Sequence, residues 1–220
     1  MLSRYARAVV SAVFAPAARA LVRRGVDPDV VTVLGTLGTV LSALLLLPNG
    51  YLVAGSLVVT VFTLTDSLDG AMAREMGRTG TWGAFLDSTL DRLGDAAIFL
   101  GVALWFLGAG ADGPAERTAG LLALGCLVLG SVVSYAKARA EGLGMTADVG
   151  IAARADRLVA VLAATFFVGL GAPTALMVVV LAVLAVLSAF TIGQRVATVR
   201  RQALGGDAAR PRRRAGRARP

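Results

Sequence analysis

Histidine is absent from this 220-residue chain, cysteine occurs once, at Cys126, and lysine once, at Lys137. Without histidine there is no imidazole base and no His-ligated zinc. One cysteine makes neither an intrachain disulfide nor a cysteine metal cage. Charge is scarce too: 16% of residues are Asp, Glu, Lys or Arg, against 56% hydrophobic residues and a mean hydropathy of +0.74. That balance excludes an ordinary soluble domain and describes a polytopic membrane protein.

Apolar runs at about 30–47, 52–65, 96–111, 121–135, 158–171 and 174–192 predict six transmembrane helices, several brought to spanning length by the polar helix ends beside them. The breaks Pro48-Asn49-Gly50, Gly108 to Pro114 and Gly169 to Pro173 carry turn residues, and of the 22 Lys and Arg residues only Arg117 falls on their side of the spans. The other cations lie in the alternate breaks and at the two ends of the chain. The positive-inside rule then puts both termini on the cytoplasmic face of the cell membrane.

Residues 1–25 pair a modest apolar face (Val9, Val13, Phe14, Ala17, Leu21) with Arg4, Arg7, Arg19, Arg23 and Arg24, and the chain runs straight on into a span. This fits an interfacial amphipathic helix rather than a secretory signal. Residues 26–200 then form the membrane domain, and 201–220 a disordered basic tail. The net charge of +8 and the arginine run from Arg210 to Arg219 are of the kind that binds nucleic acid. Placed just beyond a membrane helix, they serve topology and anionic lipid headgroups instead, so no nucleic-acid partner is expected.

Against this background four carboxylates, Asp66, Asp69, Asp87 and Asp91, stand in or beside apolar sequence. A bare charge at the centre of a membrane helix costs roughly 2.5–3.5 kcal/mol, so they must face a polar cavity and share cations. Asp66 and Asp69 are three apart and Asp87 and Asp91 four apart, which puts each pair on one helix face. Two such faces make an all-carboxylate site, selecting Mg²⁺, Mn²⁺ or Ca²⁺ over zinc and able to hold two ions. The active site would then share the cytoplasmic face with the termini.

The order Asp66-x2-Asp69-Gly70-x2-Ala73-Arg74-x8-Gly83-x3-Asp87-x3-Asp91 resembles the signature of the CDP-alcohol phosphotransferase family, complete at every specified position. The resemblance implies an enzyme that displaces CMP from CDP-diacylglycerol with the hydroxyl of a second substrate. It implies Asp66, Asp69, Asp87 and Asp91 as ligands of two Mg²⁺ ions, Mn²⁺ being an alternative, with Asp91 also the general base. Asp29, Thr32, Asp66, Asp69, Gly70, Arg74, Gly80 and Thr81 are then candidates for the CDP-lipid. Asp29 stands where the family often has asparagine, and it can also cap the first span.

For the acceptor, Ser134, Lys137, Arg139, Arg154, Arg157 and Arg195 are candidate phosphate ligands at three cytoplasmic helix ends. The segment Tyr135-x-Lys137-Ala-Arg139-Ala-Glu141, followed by Arg154-x-x-Arg157, resembles the bacterial phosphatidylinositol phosphate synthases, a subgroup that uses inositol 1-phosphate. Synthesis of phosphatidylglycerophosphate from glycerol 3-phosphate is the rival within the family, and a divalent-cation transporter the rival outside it. Arg74 at the mouth of the site argues against a cation path. Family resemblance also implies a homodimer. Asp95, one turn beyond Asp91, is an additional carboxylate expected either to support the metal ligands from behind or to pair with an arginine.

Overall fold

The computed structural model describes residues 15–77, 80–151 and 153–209 and, within them, every side chain except those of Asp66, Ser67 and residues 206–209. The described chain is all-helical: α1 (15–23), α2 (Pro28–Leu46), α3 (Leu52–Leu64), α4 (Asp66–Glu75), α5 (Thr81–Leu107), α6 (Pro114–Gly142), α7 (Arg154–Gly169) and α8 (Thr174–Ala209). Among the described residues, length and apolar composition suit four segments for crossing a membrane: Pro28–Leu46, Leu52–Glu75, Pro114–Gly142 and Thr174–Gly205.

The first span shows how these residues choose their side. Asp27 caps α2, its Oδ1 accepting the Asp29 amide at 3.0 Å, and Pro28 occupies the first turn, where its missing N–H costs nothing. From there Thr32, Gly35, Thr36, Thr39 and Ala43 turn inward at helical spacing, while Val33, Leu34, Leu37, Leu41 and Leu45 are exposed. Small residues inside and large ones outside reverse the soluble pattern, and suit a bundle whose surroundings are hydrocarbon.

The small inner residues permit close approach. A Cβ on Gly101 of α5 would stand 2.3 Å from the carbonyl oxygen of Ala43 in α2, and one on Gly38 would enter the Phe62 ring of α3. Likewise Gly35 makes room for the Thr65 side chain, whose Oγ1 donates to Phe62 O at the junction where α3 gives way to α4. The core runs through α2, α3, α5, α6, α7 and α8, from Ala43, Val59 and Ile98 to Cys126, Val161 and Leu181.

Cys126 Sγ donates to Leu181 O, and Arg195 of α8 reaches the Val133 carbonyl of α6, so α6 and α8 run parallel and end on the same side. The tail departs from expectation there, since α8 continues as helix to Ala209 instead of becoming disordered at 201. Arg200, Arg201, Gln202, Ala203 and Leu204 are good helix formers. Gln202 also clamps the α6–α7 loop, accepting from Thr146 N at 3.0 Å and donating to Thr146 O at 2.6 Å. Residues 210–220, and residues 1–14 of the expected N-terminal amphipathic helix, lie outside the described part of the chain.

Gly101→Ala forces its methyl against backbone that cannot swing aside, and overpacking of this kind costs about 1–3 kcal/mol. Gly125→Ala, with nothing within 4 Å of the new methyl, is expected to be neutral or mildly stabilising. Thermal unfolding in detergent checks the pair; equal melting temperatures would contradict the packing.

Candidate active site

One end of the bundle gathers the start of α2, all of α4, the first half of α5, the end of α6, the start of α7 and the far end of α8. On α5, Asp87, Asp91 and Asp95 recur every fourth residue and so form a single stripe. Asp87 is exposed, Asp91 and Asp95 are largely covered, and Asp69 of α4 is only 6% exposed. The Asp66 side chain lies outside the described residues, and among the described residues no three of the carboxylates already gather into a metal cage. The donors are nevertheless carboxylates alone, one of them buried in an apolar bundle, and that chemistry fits a hard divalent cation.

Arg154, the first residue of α7, links the stripe to the rest of the site. Its Nη1 lies 2.9 Å from Asp91 Oδ1 and its Nε 2.8 Å from Asp95 Oδ1, while Arg92 Nη2 reaches Asp91 and Asp95 at 3.6 and 3.4 Å. Asp95 is therefore the arginine partner the sequence suggested. One turn on, Arg157 is 3% exposed, its guanidinium against Gly130 of α6 and its Nη1 without a hydrogen-bond partner among the described residues.

At the outer rim, a cavity of about 440 Å³ is lined by Asp27, Asp29, Ala73, Gly77, Gly80, Trp82 and Gly83. Asp29 does not cap α2, because Asp27 does; it sits in the first turn and accepts a 2.9 Å hydrogen bond from Trp82 Nε1 of α5. The sequence reading missed Trp82, since nothing local signals a bond across 53 residues. Gly80 caps α5 and Thr81 begins it. Thr32, inside α2, spends its hydroxyl on the Pro28 carbonyl. Arg74 lies back along α4 over Gly70, its Nη1 3.6 Å from where a Cβ would stand.

The basic candidates divide. Lys137 Nζ contacts Asp148 Oδ1 at 2.5 Å and Glu141 Oε1 at 3.7 Å, and its hydrogen bond and charge hold the Asp148 carboxyl below the usual range. Arg195 donates to the carbonyls of Val133 and Val149, and Ser134 to that of Gly130. Arg157 and Arg195 thus meet α6 at Gly130 and Val133, the stretch that carries Ser134 and ends on Lys137. Arg139 does not join them, because two residues along a helix is more than half a turn; it lines a separate groove with Tyr135, Arg195 and Arg200.

If Asp95 anchors Arg154 and offsets buried Arg157, Asp95→Asn will cost about 3 kcal/mol, the lower end of what breaking a buried pair costs. Asp95→Glu, which keeps the charge, will recover part of that. Melting temperatures of the two variants check this, and an Asn variant as stable as the parent would contradict it.

Comparison with known proteins identifies the family. The family model described as CDP-alcohol phosphatidyltransferase matches residues 26–186. A Streptomyces avermitilis protein named phosphatidylinositol phosphate synthase is 47% identical over 215 residues, covering 95% of this chain and 86% of its own. A Cutibacterium acnes protein of the same name is 48% identical over 202 residues, covering 89% and 96%. Among solved structures, Mycobacterium tuberculosis phosphatidylinositol phosphate synthase with CDP-DAG bound superposes with a TM-score of 0.79 at 43% identity, over 85% of this chain and 93% of that one. The same enzyme in complex with manganese and citrate gives 0.78 at 43%, over 84% and 88%. With the family model spanning most of its length and its aspartate motif intact, this chain is a member of the CDP-alcohol phosphatidyltransferase family.

Proposed function

We propose that this protein transfers the phosphatidyl group of CDP-diacylglycerol to inositol 1-phosphate, giving phosphatidylinositol phosphate and CMP. The observation that carries the reading is the meeting, at one bundle end, of the aspartate stripe with Arg154 and, one turn on, the buried Arg157. The relatives' names point the same way.

The cytidine end of the donor enters the rim cavity beside Asp29, Gly80, Thr81 and Trp82, with Thr32 lining the helix below. Three glycines there leave the backbone open to close approach. Arg74 forks onto the diphosphate over Gly70. The lipid chains follow an apolar trough of about 510 Å³ between α3 and α7, which starts at Arg154 and runs past Leu158 and Leu162 to Phe166 and Phe167.

Asp66, Asp69, Asp87 and Asp91 are the residues that would hold two Mg²⁺ ions, and Mn²⁺ suits the same oxygens. When bound, such ions supply positive charge against the diphosphate and the departing CMP. Arg154 and Arg92 fix the orientation of Asp91, which takes the proton of the attacking inositol hydroxyl. The hydroxyl oxygen bonds to the phosphatidyl phosphorus as the bond to CMP breaks. Arg157, Lys137, Arg195 and Ser134 receive the acceptor's own phosphate, and Arg157 brings an Nη1 without a hydrogen-bond partner among the described residues.

In the membrane we read six crossings, α3 and α4 making one and α5 and α7 joining the four long apolar segments. The 27 residues of α5 span about 40 Å at 1.5 Å each. Alternation of basic and uncharged breaks supports a cytoplasmic site and cytoplasmic termini, and the family resemblance supports a homodimer.

With purified protein, CDP-diacylglycerol and Mg²⁺, CMP release is expected with inositol 1-phosphate and to be poor with inositol or glycerol 3-phosphate. Lys137→Ala removes a charge-assisted hydrogen bond worth about 1.5–3 kcal/mol, raising the acceptor KM roughly ten- to hundredfold with little change for the donor. Faster release with glycerol 3-phosphate, or an unchanged acceptor KM in the variant, would overturn the acceptor assignment.

A further inference from the structure

We propose that the groove between the parallel ends of α6 and α8 is a binding site for one anionic phospholipid, distinct from the acceptor site and sharing only Arg195 with it. The groove encloses about 360 Å³ and is lined by Arg139, Arg195 and Arg200 together with Tyr135 and the apolar Leu143, Val196 and Val199. No carboxylate lines it. Among the described residues neither Arg139 nor Arg200 has a carboxylate within ion-pair distance, whereas the acidic residues of this region, Glu141 and Asp148, are both engaged by Lys137.

Arg139 and Arg200 are two exposed guanidinium groups beside one apolar trough, with no carboxylate among the described residues lining it to balance them. Arg195 already feels the charge of Asp148 and Glu141, so an anion in the groove is held chiefly by Arg139 and Arg200. Arg195 is held in place through its Nε and Nη1 on the Val149 and Val133 carbonyls, so this part of the wall is built rather than loose. The apolar half is open to the surroundings, with Leu143 52% and Val196 58% exposed, and Tyr135, 67% exposed, brings an amphipathic ring of the kind that sits at headgroup depth. A ligand that satisfies both halves carries negative charge at one end and hydrocarbon at the other. Basic pockets between membrane helices at the cytoplasmic side take anionic headgroups in this way.

Other occupants fit less well. A second copy docked by a two-fold axis on this patch would bring the same arginines to face it. The arginine-rich segment beyond residue 210 carries the same sign. A zwitterionic lipid offers no net charge. The inference uses the bundle orientation proposed above but not the identity of the acceptor, and no substrate enters its test.

The test titrates purified protein in neutral detergent with dioleoylphosphatidylglycerol or dioleoylphosphatidylcholine and counts bound lipid by native mass spectrometry. The parent is expected to bind one phosphatidylglycerol in preference to phosphatidylcholine. An arginine near an anionic headgroup contributes about 1 kcal/mol, roughly a factor of five, so Arg139→Ala with Arg200→Ala weakens binding about 25-fold. The paired Lys variants keep most of the affinity, and Arg117→Ala, at the opposite end, leaves it unchanged. Parent-like phosphatidylglycerol binding by the double Ala variant, or equal binding of the two lipids by the parent, would overturn the site. So would a changed subunit count in the double Ala variant at unaltered lipid affinity, which would identify the groove as a face between copies.

Discussion

Hydrocarbon cannot solvate a carboxylate, and this bundle answers that constraint by bringing its acidic site to one end and surrounding it with arginine. The bridge from Arg154 to Asp91 and Asp95 is where the two charges meet. It joins the first turn of α7 to the stripe on α5, and it does so across a largely covered boundary where each ionic contact is stronger than at a wet surface. Without it the first turn of α7 would bring uncompensated cations, and α5 uncompensated anions, into the same small space. Buried Arg157 depends on the same negative stripe.

Packing and chemistry divide the helices between them. Away from the site, Gly35, Gly38 and Gly101 allow α2, α3 and α5 to lie close, so the frame is held by backbone proximity rather than by large interlocking side chains. A frame of this kind yields little, which suits a reaction in which a donor diphosphate, an acceptor and cations must meet at defined distances. At the rim the material changes to Gly77, Gly80 and Gly83, which leave room for a ligand where the interior glycines leave room for a helix.

The parts legible in the sequence were those set by local periodicity. The stripe Asp87, Asp91, Asp95 follows from helical spacing alone, and the breaks at Pro48-Asn49-Gly50 and Gly169 to Pro173 follow from turn chemistry. What escaped depended on partners far along the chain. The Asp29 carboxylate is engaged by Trp82, 53 residues along, and the chain past residue 200 is held by the Gln202 clamp on Thr146. Arg139 was grouped with Lys137 because both are cations at one helix end, although helical geometry turns them to different sides.

The claim on which the rest depends is that these carboxylates stand in a membrane protein in order to hold divalent cations. Titration with Mn²⁺, followed by loss of the free-ion paramagnetic resonance signal, tests it without any turnover. Saturable binding by the parent, lost in Asp69→Asn, a change that keeps the shape and removes the charge, is the predicted result. Equal Mn²⁺ binding by the parent and this variant would contradict it.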